Sequence, residues 1–124
     1  AGNTILELGH GNAGHVAYLL QQKDNTTYYG LEMSEIMFQE AQQINHKFLS
    51  EGQAHFALYD GNIIPFQDAF FDRIFTVNTI YFWQNPEIFL LEIYRVLKAK
   101  GLFGITFAEE SFMKQLPLED FNSE

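Results

Sequence analysis

Apolar and polar positions along this chain form short runs whose period keeps changing. "TILEL", Thr4 to Leu8, is β-branched and apolar and abuts a glycine, which predicts a buried strand. Within "GHVAYLLQQK", Val16, Leu19 and Leu20 take helical spacing. "TTYYGLE", Thr26 to Glu32, predicts a second strand that ends on an acid. Ser34 suits the N-cap of a helix reaching about Ser50, with Glu35 in its first turn and Met37, Ala41, Ile44 and Phe48 along one face. "AHFALYD", Ala54 to Asp60, is a third strand, also ending on an acid. The turn-rich "GNIIPFQDAF" leads to a fourth strand, "FDRIFTVN". Pro86 suits the start of a helix through "EIFLLEIYRVLK", whose inner stripe is Phe89, Leu90, Ile93, Val96 and Leu97. Gly101 is placed to end that helix, and "LFGITF" is a fifth strand. From Ala108 onward the chain is acidic and reads as helix or loop.

Strands alternating with helices imply parallel pairing, right-handed crossovers and helices on both sheet faces. The expected fold is a doubly wound α/β sheet in one domain spanning residues 1–124. Composition supports a packed core, with 47% hydrophobic residues and 13 phenylalanines. The balance of 16 acids against 7 bases, a net charge of −9, leaves little to neutralise phosphates and argues against a nucleic-acid partner. Absence of cysteine excludes disulfides and thiolate metal sites. Apolar runs too short for a bilayer, with no leader-like start, complete the expectation of a soluble cytoplasmic protein without a membrane partner. Tyr28 and Tyr29 alternate along their strand and read as core and rim. His10, His15, His46 and His55 share no ligand spacing, so no metal site is expected.

The chemistry centres on "ILELGHGNAGHVAYLL", which contains Gly9-x-Gly11-x-x-Gly14. Read literally, this is a dinucleotide fingerprint, and Glu32 could then bind a ribose. That reading has no use for Glu7, whose carboxylate would repel a pyrophosphate. In an open α/β sheet the ligand lies beyond the carboxyl ends of the strands, where Glu7, Glu32 and Asp60 all fall. A ligand with a ribose, an adenine and a cationic amino-acid tail would use all three acids. S-adenosylmethionine has those parts.

Together with "YYGLEMS", "LYDGNIIPFQDAFFDRIF" and "EIYRVLKAKGLFGI", this stretch resembles the successive motifs of class I S-adenosylmethionine-dependent methyltransferases. More narrowly, it resembles the broad small-molecule group typified by ubiquinone-biosynthesis methyltransferases, over roughly Ile5 to Phe107. The resemblance implies a Rossmann-like sheet of strand order 3-2-1-4-5, S-adenosylmethionine as methyl donor with S-adenosylhomocysteine as product, and a small-molecule acceptor. By the same resemblance, Gly9 and Gly11 let backbone approach the methionyl part, and Glu7 supports its ammonium directly or through water. Glu32 takes both ribose hydroxyls, Met33 packs beside the adenine, Asp60 faces its amino group, and the Gly61 N–H meets the ring edge. Asn78 lies near the methyl group and the acceptor. Methyl transfer from a sulfonium needs alignment more than acid–base help, and Asn78, Tyr81 and His10 are the candidates should a catalytic group be required.

Several features depart from the family pattern. Ala13 stands where a third glycine is usual, tolerable if its φ is negative, and Ala99 replaces a common proline. "NTIYFW" keeps Asn78 and Tyr81 at the outer spacing of an N-P-P-Y motif without its prolines, and its aromatics read first as packing at the sheet end. The antiparallel C-terminal hairpin of the family has no visible counterpart, which would leave the fifth strand with an open apolar edge. The chain is therefore expected to be a fragment trimmed at both ends. Two other readings of the same residues stay open: an NAD-dependent oxidoreductase using Gly9, Gly11 and Gly14, and a non-catalytic binding module on the same fold.

Overall fold

The computed structural model describes residues 3–22, 24–77, 85–107 and 112–117. In chain order its elements are β1 (Asn3–Leu8), α1 (Val16–Gln22), β2 (Thr26–Glu32), α2 (Glu35–Ile44), α3 (His46–Ser50), β3 (Ala54–Leu58), β4 (Phe71–Val77), α4 (Pro86–Val96), β5 (Leu97–Phe107) and β6 (Phe112–Pro117). The first five strands pair in parallel in the order β3-β2-β1-β4-β5, as expected. Glu7 on the central strand β1 sits beside Gly30 of β2 and Phe75 of β4. The strand order reverses at β1, so the crevice of a doubly wound sheet opens beyond its carboxyl end.

Alternation along the strands separates two cores. Ile5, Tyr28, Ala54 and Phe75 face Ala13, Val16 of α1 and Ala41 of α2. Leu6, Leu8, Leu31, Ile74 and Phe103 point the other way, against Phe89, Ile93 and Val96 of α4. Covering both faces explains why the adjacent residues Ile5 and Leu6 of β1 are both buried, and burying each large α4 side chain contributes roughly 1.5–3 kcal/mol. Ser34 caps α2 as expected, its Oγ accepting from the Met37 N–H at 3.3 Å. Among the described residues, no helix is long and apolar enough to cross a membrane.

Several expectations need correction. The helix from Ser34 to Ser50 breaks at Asn45, whose buried side-chain amide donates to Ala41 C=O at 2.9 Å and to Ala13 C=O at 3.0 Å. Ile44, the last residue before the break, is exposed, while Phe48 in α3 still packs against the core beside Ala41. Gly101 does not end α4: the helix gives way to β5 at Leu97, and Lys100, with φ of 70°, makes the left-handed turn. Gly101 is needed for close approach instead, since a Cβ there would lie 2.6 Å from Leu97 Cδ1 and 2.9 Å from Lys98 O. The open edge on β5 is absent as well. The segment read as helix or loop contains β6, which pairs antiparallel with β5 from Leu102–Pro117 to Phe107–Phe112.

Candidate functional site

Three loops leave the carboxyl ends of β1, β2 and β3; Glu7 and Glu32 lie in the last two residues of β1 and β2, and Asp60 follows β3. The first loop has the most unusual backbone. Gly9, Gly11 and Ala13 have φ of 74°, 62° and 59°, so every second residue is left-handed. Glycine adopts this conformation freely, whereas an L side chain costs roughly 1–2 kcal/mol. Ala13 thus lacks the negative φ that would let it replace a glycine without strain. Its methyl group is fully buried, and Asn45 holds its carbonyl in place from α2. Gly14 has no positive φ, and a Cβ there would make only ordinary contact, with Asn12 Oδ1 at 3.4 Å. The third glycine of the dinucleotide fingerprint, which should permit close helix–strand packing, therefore does no such work here.

The loop folds back on the acid of β2. The Gly9 N–H donates to Leu31 C=O at 2.8 Å, and the Gly11 N–H to Glu32 Oε1 at 3.0 Å. Glu32 Oε2 accepts from the N–H groups of Met33 (3.1 Å) and Ser34 (3.0 Å). Glu32 also lies within electrostatic reach of both neighbouring strand ends. Its charge acts on His10, past the end of β1, and on Tyr59, past the end of β3 and beside Asp60. Burial, then the Glu32 and Asp60 charges, push the Tyr59 hydroxyl up to about 12.

Glu7 is more deeply enclosed than the sequence suggested. It is fully buried, and its Oε1 is shared by the Tyr28 hydroxyl and His15 Nε2, each at 2.6 Å. Its Oε2 is buried with no hydrogen-bond partner among the described residues. The hydrogen bond to Glu7 raises the His15 pKa against the opposing effect of burial. Burial leads in raising Tyr28 well above its usual value, aided by the Glu7 charge.

His10 is also buried, its Nδ1 2.7 Å from Gly11 O. The ring lies edge-on to Phe56 at 5.0 Å and occupies the space a side chain on Gly30 would need, 2.6 Å from a Cβ built there. Burial lowers its pKa, which favours the neutral tautomer with a proton on Nδ1 donated to Gly11 C=O. Its Nε2 has no partner among the described residues.

Asp60 lies just past β3 and is exposed, its Oδ1 accepting from the N–H groups of Asn62 (2.8 Å) and Ile63 (2.9 Å). Those bonds, Ile63 first, hold its pKa down. Gly61 is left-handed with φ of 86°, and a Cβ there would meet Met33 Sδ at 2.8 Å. Met33 and Gly61, both expected beside one adenine ring, are thus brought together. Asn78 and Tyr81 lie outside the described residues. Sequence reasoning missed Tyr28 and His15 as partners of Glu7, and Asn45 as the support of Ala13. No local signal marks them, because each meets its partner only in the folded sheet.

A family model described as "Methyltransferase domain" matches residues 6–105. The chain is 32% identical over 110 residues to the biotin biosynthesis bifunctional protein BioHC of Teredinibacter turnerae, an alignment covering 85% of this chain and 19% of that protein. It is 28% identical to the fatty-acid O-methyltransferase of Mycolicibacterium smegmatis, covering 90% of this chain and 39% of that one. The chain therefore spans well under half the length of these curated relatives. The crystal structure of a SAM-dependent methyltransferase from Aquifex aeolicus superposes with a TM-score of 0.77 at 27% identity, covering 96% of this chain and 64% of that one.

Proposed function

We propose that this chain, which belongs to the class I S-adenosylmethionine-dependent methyltransferase family, carries methyl transfer from S-adenosylmethionine to a small-molecule acceptor by in-line displacement. The observation that carries the reading is the left-handed Gly9–Gly11 loop folded onto Glu32 at the switch point of the sheet. When bound, S-adenosylmethionine supplies a methyl group already activated on a sulfonium. The residues present fit it. Gly9 and Gly11 offer bare backbone to the methionyl part. The unpartnered buried Oε2 of Glu7 suits an ammonium, or a water that bridges to one. Glu32 keeps acceptor capacity for one ribose hydroxyl, on Oε1, because three N–H bonds take the other three of a carboxylate's about four lone-pair positions. Met33 flanks the adenine, Asp60 faces its amino group and the Gly61 N–H meets the ring edge. Asn78 is assigned the methyl end by its position after β4. The net charge of −9 argues against a polyanion as acceptor.

Glu32→Ala is expected to abolish most affinity for S-adenosylhomocysteine in calorimetry on the full chain. Binding unchanged by that exchange would overturn the site. Thermal shift with S-adenosylhomocysteine against NAD separates this reading from an oxidoreductase, and stabilisation by NAD alone would favour the latter. Binding without turnover of any acceptor would leave the non-catalytic module.

A further inference from the structure

Residues 60–70 contain no helix or strand, yet Ile64 in their midst is fully buried and Phe66 and Phe70 pack against the core. Buried backbone N–H and C=O groups need partners, and here no ladder supplies them. One turn of α4 does. Glu92 Oε1 accepts from the Ile64 N–H at 2.8 Å. Arg95 Nη2 donates to Ile64 C=O at 2.7 Å, while its Nη1 donates to Phe66 C=O at 2.9 Å and Asp68 Oδ1 at 2.8 Å. The two side chains also hold each other, Arg95 Nε to Glu92 Oε2 at 2.9 Å and Nη2 to Oε1 at 3.0 Å. Backbone bonds from the Ala69 and Phe70 N–H groups to Arg95 and Val96 carbonyls complete the attachment.

Residues three apart on a helix share a face, so Glu92 and Arg95 act as one unit. The planar guanidinium reaches two carbonyls and two carboxylates at fixed angles, which an ammonium group cannot do. The anchored stretch begins at Ile64, one residue past the turn that Asp60 caps. On its other side the Tyr59 N–H donates to Glu32 C=O at 3.1 Å. Asp60 and Gly61 thus span two fixed points, one on β2 and one on α4.

We infer that Glu92 and Arg95 are positioning residues for the Asp60–Gly61 side of the cofactor site, touching no ligand themselves and setting where that turn stands. The inference rests on the adenine role proposed for Asp60.

Calorimetry on the full chain should compare S-adenosylhomocysteine with S-inosylhomocysteine, in which a carbonyl replaces the adenine amino group. The wild-type chain is expected to prefer the amino compound. Arg95→Lys is expected to shrink that preference about three- to tenfold, the scale of one misplaced hydrogen bond. Glu92→Gln keeps an acceptor for the Ile64 N–H and should shrink it less. If either variant is folded, melts lower and yet keeps the full preference, the pair is scaffold only and the inference is overturned. Should Arg95→Lys fail to fold, Glu92→Gln decides by the same criterion. Wild-type chain that binds both compounds equally removes the role of Asp60 and the inference with it. Wild-type chain that binds neither removes the proposed cofactor itself.

Discussion

The loop after β1 and the loop after β3 solve one problem in different ways. Both must hold irregular backbone at the mouth of the sheet. The first does it mostly from within, through three left-handed residues at alternate positions and a return bond to the next strand end. The second has a left-handed residue at Gly61 and another at Ala69, but its middle is fixed by side chains from α4, up to 31 positions away in sequence. A loop shaped by its own residues announces itself as a glycine motif. A loop shaped by a distant helix shows only an acid and a base three positions apart, with no local meaning.

The largest effect expected on the first loop comes from Gly30→Ala. A Cβ there would stand 2.6 Å from the His10 ring and 3.0 Å from Phe56, beneath the loop rather than in it. Overpacking of this kind costs roughly 1–3 kcal/mol, readable as a lower urea midpoint at unchanged slope. An unchanged midpoint would mean that His10 is free to move and does not support the loop.

A smaller effect distinguishes the two histidines. His15 has its pKa raised above 6.5 by Glu7, so its contribution to stability is fully present below pH 6.5 and is lost as pH rises through the folded value. His10 has its pKa lowered by burial, so its contribution is present above pH 6.5 and is lost as pH falls through the folded value. Stability should therefore decline on both sides of about pH 6.5, and His15→Gln should flatten the alkaline side only. Because His15 is 42% exposed, solvent screening limits its share to no more than about 1 kcal/mol. Denaturant melts across the pH range test this, and an alkaline side that survives the substitution would remove His15 from the account.

The smallest effect belongs to Ala13→Gly. Relief of a left-handed side chain gains roughly 1–2 kcal/mol, against about 0.8 kcal/mol for a buried methyl group and a further 0.5–1 kcal/mol of added unfolded-chain entropy. The net change should lie within about 1 kcal/mol of zero. A large loss would show that the methyl group, rather than the backbone, shapes the loop.

Much of this molecule could be read from its sequence. Strands β1 to β4 and helix α4 follow from hydrophobic period, and the acids at 7, 32 and 60 were placed at strand ends because the strands were. What escaped depends on pairings that no window contains. Asn45 breaks a helix that periodicity runs straight through, since its amide answers a carbonyl in another loop. Glu7 was read as facing a ligand, while Tyr28 and His15 already share one of its oxygens. β6 has little alternation of its own and becomes a strand by pairing with β5.

The anchor on α4 joins a guanidinium, which keeps its proton throughout the physiological range, to a carboxylate whose pKa that guanidinium holds low. Its grip on the stretch beside Asp60 is therefore blind to acidity, while the Glu7–His15 contact below the glycine loop is not. Swings in pH would be felt beyond the carboxyl end of β1 and ignored beyond that of β3.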